Sequence, residues 1–309
     1  MTLGISLLPT PVLSAAPLTV SGNITAKYQS QTSLETPVES GTTYSISVRG
    51  EQSIAKNMSL FLRFSAQYAT NPQLGDFDVA FQGINTKMVA GFDQFGLIYK
   101  PKNFTFILGR QEAQVGKTAL LYSRSETNIG YNRFVDGLSV NASEGSFKFM
   151  ASAVWENNFG LPNNNYYALR TGYNLSKASN IGFTWAQYKY VAGNTTQHWA
   201  VDATTTLGKN AFTAEYAQSN SAESNKAYAL TWDYDFDGKT AFYVKHFRVE
   251  ANADMGGQSD FDNNNRGFHY GLTHLLSNKL SVEFIFKDQF SLADNAKNSK
   301  IEIWLKNSF

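Results

Sequence analysis

The chain has 309 residues, with 26 Lys and Arg against 25 Asp and Glu and only 17% charged residues. A balance this close to neutral excludes the basic footprint of a nucleic-acid binder, and the lack of cysteine excludes a disulfide framework, thiolate chemistry and cysteine-ligated metals. Mean hydropathy is −0.31 and no stretch approaches the roughly 20 apolar residues of a membrane helix, which leaves open a membrane barrel, whose apolar residues sit at every second position.

Residues 1–16, "MTLGISLLPTPVLSAA", are apolar and end in the small residues Ser14, Ala15 and Ala16. They read as the later part of a secretory signal with cleavage near Ala16, which leaves 17–309 as one domain. From residue 17 the dominant signal has period 2. In "TYSISVRGE", Tyr44, Ile46 and Val48 alternate with Ser45, Ser47 and Arg49. In "SLFLRFSAQY", Leu60, Leu62 and Phe64 alternate with Phe61, Arg63 and Ser65. "SFKFMASAVWE", "AYALTWDYDF" and "LSVEFIFK" behave likewise, and no sustained 3.6-residue period occurs. The final strand, "SKIEIWLKNSF", sets Ile301, Ile303, Leu305 and Phe309 on one parity and Glu302, Lys306 and Ser308 on the other, with Trp304 a misfit among the polar residues.

Tight turns fall at 55–57, 101–103, 143–145, 176–179, 208–210, 237–239 and 277–279. Between them lie more variable, polar connections near 34–41, 71–89, 112–133, 158–164, 193–196, 220–225, 251–265 and 291–298. Seven short links alternate with eight longer ones, which makes sixteen strands. An even-stranded meander with short turns at one rim and longer loops at the other predicts an all-β fold, a 16-stranded antiparallel transmembrane β-barrel. Closure leaves no strand edge unpaired, and a ring of this size is too wide for side chains to fill.

With this pattern the sequence resembles the Gram-negative-type general diffusion porins. The resemblance is carried by "LTVSGNITAKYQ", by "FTFILGRQ" at 104–111, by the long connection after it and by Phe309. It implies an outer-membrane location, a water-filled channel for passive diffusion of small hydrophilic solutes and ions, contact with membrane lipid, and homotrimers. It also implies that segment 112–133 folds inward as a constriction loop. Phe309 resembles a C-terminal assembly signal read by the outer-membrane insertion machinery. A substrate-specific channel is the alternative, with a barrel enzyme or a structural anchor further behind. Porin constriction loops are often acidic, whereas this one carries Lys117, Arg124 and Arg133 against Glu112 and Glu126, so a cation-selective pore does not carry over.

Parity points Lys27, Arg49 and Arg63 inward. Arg49 and Arg63 are each six residues from the edge of the 55–57 turn and are expected to face each other. Asp202, Glu215 and Asp233 are expected inward on the opposite wall, so that a positive wall faces a negative one and focuses a field between them. With the loop's Glu112, Lys117, Arg124 and Glu126, these are the candidate pore-lining residues, with a slight lean towards anions. Arg110 is a difficulty, because unbroken alternation would give it the lipid parity of Phe104, Phe106 and Leu108. Either a bulge near Gly109 resets the phase or Arg110 lies at the rim.

Three motifs carry no chemistry. "VGKT" at 115–118 lacks the glycine five residues before Gly116 that a phosphate loop requires. "DFDNNN" at 260–265 has Asn265 where a calcium loop needs glycine and Gly271 where it needs glutamate, and reads as a solvated external loop. His269 and His274, five apart, point to opposite faces of a strand and do not form a metal site. No cofactor or catalytic group is called for.

Overall fold

The computed structural model describes residues 17–33, 38–74, 87–125, 127–130, 133–156 and 163–309. The predicted signal segment and Glu126 lie outside them. Strands β1 (Thr19–Ser33), β2 (Glu39–Ala55), β3 (Met58–Ala69), β4 (Met88–Tyr99) and β5 (Phe104–Gln111) form the first part of the wall. Two short strands follow, β6 (Ala113–Val115) and β7 (Tyr122–Arg124). The wall resumes with β8 (Val135–Glu144), β9 (Phe147–Glu156), β10 (Asn165–Asn174), β11 (Ser179–Lys189), β12 (Thr195–Leu207) and β13 (Asn210–Ser219). It ends with β14 (Lys226–Asp235), β15 (Thr240–Val249), β16 (Asn265–Leu275), β17 (Leu280–Ser291) and β18 (Lys297–Ser308). All but β6 and β7 belong to one closed barrel, in which β5 pairs directly with β8 and β1 with β18. That gives the sixteen wall strands that the alternation predicts, each antiparallel to its neighbours.

The short turns are tight because residues at their corners take left-handed backbone angles, among them Asn57 at φ 62°, Gly145 at 57°, Gly208 at 61° and Gly238 at 77°. These are residue types that tolerate that region. At the seam, the register runs from Asn23 opposite Ser308 to Ser33 opposite Asn298. Gly22 and Phe309 add one more reciprocal pair of backbone hydrogen bonds, of 3.1 and 3.0 Å. Glycine is required at position 22, since a Cβ there would lie 2.4 Å from the Ser47 carbonyl oxygen and 2.5 Å from the Phe309 ring.

Alternation sorts the wall into two faces. Leu60, Leu62 and Phe64 are exposed on the outside of β3, whereas Phe61, Arg63 and Ser65 are buried within. Outward aromatic residues flank the short turns (Tyr99, Phe104, Phe147, Tyr173, Phe236) and recur towards the other rim (Tyr44, Tyr68, Trp155, Tyr167). An outer face this apolar is stable only against hydrocarbon, and aromatic girdles mark its two boundaries with water.

The interior is not uniformly open. Inward residues of β10–β14 include Ala168, Ala186, Ala200, Ala217, Ala227 and Ala229, all buried. The room that these small side chains leave is filled by the 112–133 segment and by a second inward segment, 251–264. Val115, Leu120, Leu121 and Tyr122 from the first join Ala253, Met255 and Phe261 from the second in one core cluster with the wall. The segments are stitched together by three backbone hydrogen bonds: Ser123 N–H to Gln258 O (2.6 Å), Met255 N–H to Leu121 O (2.9 Å) and Asp260 N–H to Ala119 O (3.1 Å). The solvated external loop expected at "DFDNNN" is therefore corrected. Phe261 is 2% exposed and Met255 fully buried, because burying them covers the alanine wall.

Candidate functional site

The inward segment 112–133 hangs from the wall at three places. At its start, Gly116 takes φ +93°, which turns the amides of Lys117 and Thr118 onto the buried Glu215 carboxylate at 2.8 and 2.6 Å, and the Thr118 hydroxyl donates to it at 2.6 Å. A Cβ at position 116 would lie 2.5 Å from that carboxylate. The "VGKT" backbone does bind an anion, but the anion is the protein's own side chain. In the middle, the Tyr122 and Tyr188 hydroxyls donate to Glu156 at 3.0 and 2.8 Å, and Arg124 lies 3.4 Å from the same carboxylate. Burial pushes the Tyr122 hydroxyl well above its ordinary pKa, so it remains protonated and can donate. At the far end, Arg63 clasps Asp93 with two bonds of 2.8 Å and also donates to Asn128 O at 2.9 Å. Asp93 accepts the Gly130 N–H at 3.1 Å.

Segment 251–264 has anchors of its own. His198 Nδ1 donates to Ala253 O at 3.0 Å and the Ser219 hydroxyl to Asn252 O at 2.6 Å. Buried Asp254 accepts from Asn263 at 2.8 Å.

Arg49 and Arg63 stand directly opposite each other on β2 and β3. Like charges in such a pair repel, and neighbours offset the repulsion. Arg63 is taken by Asp93, while Arg49 stacks over the Phe61 ring at 4.0 Å and lies 3.8 Å from Glu51. Asp202 and Glu215 also pair. Arg170 holds Asp202 at 2.7 Å, and Glu215 is spent on the loop. Each of the four groups expected to set a field between a positive and a negative wall thus has a counter-charge or hydrogen-bond donors close by, which weakens the field it exerts. Sequence reading missed Asp93, Glu156 and Arg170. Asp93 and Gln94 both point inward because a register shift lies opposite Arg63 and Phe64; such a bulge sets two residues against one and leaves no mark in simple alternation.

The other candidates are spread around the interior. Glu112 and Lys117 are exposed on the loop and Arg124 is buried beneath it. Asp233 is half-buried on β14 opposite Tyr243. Lys27 is 5% exposed, with its ammonium 4.9 Å from the Trp304 ring. The register of β5 against β8 is unbroken through Gln111, so no bulge rescues Arg110. It keeps the outer parity one residue from the strand's end and is joined in a two-bond pair by Asp136, its neighbour across β8.

Among the described residues, one opening lies on the side away from the alanines. A cavity of about 580 Å³ runs between the 112–133 segment and β1–β5 and β18, lined by Ser47, Arg49, Gln94, Glu112, Thr127 and Lys306. Its walls mix these polar groups with apolar ones, among them Phe61, Ile107 and Ile129, unlike the packed apolar interior beside it. An arrangement of this kind can pass water and small polar solutes, and the inward segments restrict what fits.

No protein-family model matches the sequence, and no curated protein resembles it at the sequence level. Solved structures do. OmpF of Salmonella typhi, in a complex with daunomycin, superposes with a TM-score of 0.63 over 94% of this chain and 97% of its own, at 14% identity. A mutant of the Rhodopseudomonas blastica porin gives 0.60 over 94% and 100%, at 10% identity. At these identities the likeness establishes the barrel fold.

Proposed function

We propose that this chain is an outer-membrane channel through which small hydrophilic solutes and ions diffuse passively. The observation that supports this best is the cavity with charged and polar groups in its wall between the inward 112–133 segment and the β1–β5 wall, inside a barrel whose outer face is apolar. Lipid covers that face, and three copies associate side by side. Residues 1–16 act as the export signal, and Phe309, with its ring over Gly22, helps the insertion machinery to recognise the closing strand. Arg49 and Glu112 line the conducting path, Asp233 faces the lumen from β14, and Lys27 is packed against Trp304 beside it. Arg63, Arg124, Asp202 and Glu215 hold its walls and loop, and Lys117 stands at its edge; Glu126 belongs to the same loop. A passive channel needs no catalytic group, and none is assigned.

The test is conductance of the purified, folded protein in planar bilayers. Steady unitary steps, together with liposome swelling in small neutral solutes but not large ones, support the channel. A folded barrel that inserts and stays silent overturns it. Chemical cross-linking in native membranes tests the trimer: a three-chain species is expected, and a monomer alone refutes it.

A further inference from the structure

We infer that the lumen face of β17 and β18 is a cationic track that makes this channel prefer small anions. The inference rests on the channel reading above and adds a solute class and the residues that select it.

The inward positions of β18 run Lys300, Glu302, Trp304, Lys306, alternate residues of one strand. In the ladder, Lys287 of β17 sits opposite Lys300, and Lys27 of β1 sits opposite Trp304. Glu302 is 4% exposed. It accepts Lys300 Nζ at 2.7 Å, with Lys287 Nζ at 4.0 Å from the same oxygen, and its other oxygen accepts the Trp304 indole N–H at 3.0 Å. Trp304, the misfit in the sequence pattern, is sandwiched between cations: Lys27 Nζ lies 4.9 Å from its ring and Lys306 Nζ 4.6 Å. Glu283 of β17 sits opposite Trp304 and holds Lys306 at 3.0 Å, so the face sets four ammonium groups, Lys27, Lys287, Lys300 and Lys306, against two carboxylates, Glu283 and Glu302. At neutral pH the cluster carries an excess of positive charge.

The geometry leaves this excess available to a passing ion. Glu302 is saturated by Lys300 and Trp304, and Lys287 reaches it only at 4.0 Å. The Lys287 and Lys300 side chains keep 23% and 24% of their surface exposed. The row continues laterally, since Lys245 of β15 pairs with His269 and His269 with Lys287, with Asp260 standing 3.5 Å from Lys245. It continues along β18 to Lys306, which is paired with Glu283 at 3.0 Å and lines the cavity together with Arg49. Alternate strand residues are ~6.7 Å apart, so an anion can pass from one ammonium to the next without losing all of its attraction. Low-dielectric walls focus such a field. Arg63 cannot supply the same bias, because the fully buried Asp93 is bonded to it at 2.8 Å.

The experiment uses potassium chloride gradients across planar bilayers at low salt, with the reversal potential as the readout. The wild-type chain is expected to pass chloride in preference to potassium. Lys287→Gln combined with Lys300→Gln should lower the anion-to-cation permeability ratio by roughly two- to fourfold, the range set by two unit charges ~10 Å from the path and partly screened. Glu302→Gln should raise the ratio. Both changes should shrink at 1 M salt, where screening shortens to about 3 Å. A wild-type ratio at or below one overturns the inference, as does an unchanged ratio in the folded double variant. If the double variant does not insert, the wild type and Glu302→Gln decide, and a ratio unmoved by Glu302→Gln overturns it. Absence of any conductance in the folded wild-type chain refutes the channel reading itself, and this inference with it.

Discussion

Replacing Glu215 by glutamine tests whether the inward loop is held by its own amides. Glu215 is 2% exposed. One of its oxygens accepts the Thr118 N–H and hydroxyl, both at 2.6 Å, and the other accepts the Lys117 N–H at 2.8 Å. Glutamine keeps a single oxygen, so at least one donor loses its acceptor and meets an NH₂ group instead. Hydrogen bonds to a charged group contribute ~1.5–3 kcal/mol, against ~1 for neutral pairs. One lost bond and two weakened ones therefore remove about 3–4 kcal/mol of local holding energy. Relief from burying a carboxylate returns part of this. The net loosening is about 2 kcal/mol, a factor of ~30 in the local opening constant. Amide hydrogen exchange read residue by residue is the assay. The Lys117 and Thr118 amides should exchange ~30-fold faster, while those in the middle of β13 keep their protection. Unchanged protection at Lys117 and Thr118 would mean that the packed Leu120, Leu121 and Met255 hold the loop alone, and the reasoning from hydrogen bonds would fail.

Arg63→Ala leaves Asp93, which is fully buried, without its counter-charge and should destabilise the barrel by about 3–5 kcal/mol, seen as a lower urea midpoint; Arg63→Lys should lose less. Deleting Phe309 should reduce the fraction of heat-modifiable barrel in membranes, and normal assembly of the truncated chain would refute a role for that residue. Burial raises the Asp254 carboxyl above its ordinary range, against hydrogen bonds from Ser259, Asn263 and the Gly257 N–H. Protonation therefore favours the seated 251–264 segment: its seat is tightest below the ordinary carboxylate value of ~3.9 and weakens as pH rises through the elevated one. Exchange in this segment, corrected for the intrinsic pH dependence, should show that trend, and Asp254→Asn should flatten it. Deleting part of 112–133 should raise unitary conductance and admit larger solutes; an unchanged size cutoff would place the narrowest point elsewhere.

Each wall strand announces itself locally. Tyr44, Ile46 and Val48 face outward because a strand turns alternate residues to opposite faces, and the Asn57 turn brings Arg49 opposite Arg63 by counting residues alone. Sequence by itself thus determined the sixteen strands, their turns, the two faces and the ring. It did not determine what fills the ring. Lys27 meets Trp304 only because β1 pairs with β18, a contact between the two ends of the barrel that exists once the ring is closed. Asp93 reaches Arg63 through a bulge, and Arg110 finds Asp136 only where β5 skips the inward loop to join β8. The 251–264 segment, polar in composition, carries Met255 and Phe261, whose pull inward shows only when six alanines from five strands are seen to line one wall. Periodicity is a property of neighbours along the chain. Packing inside a barrel depends on which strands face one another across space, and closure alone decides that.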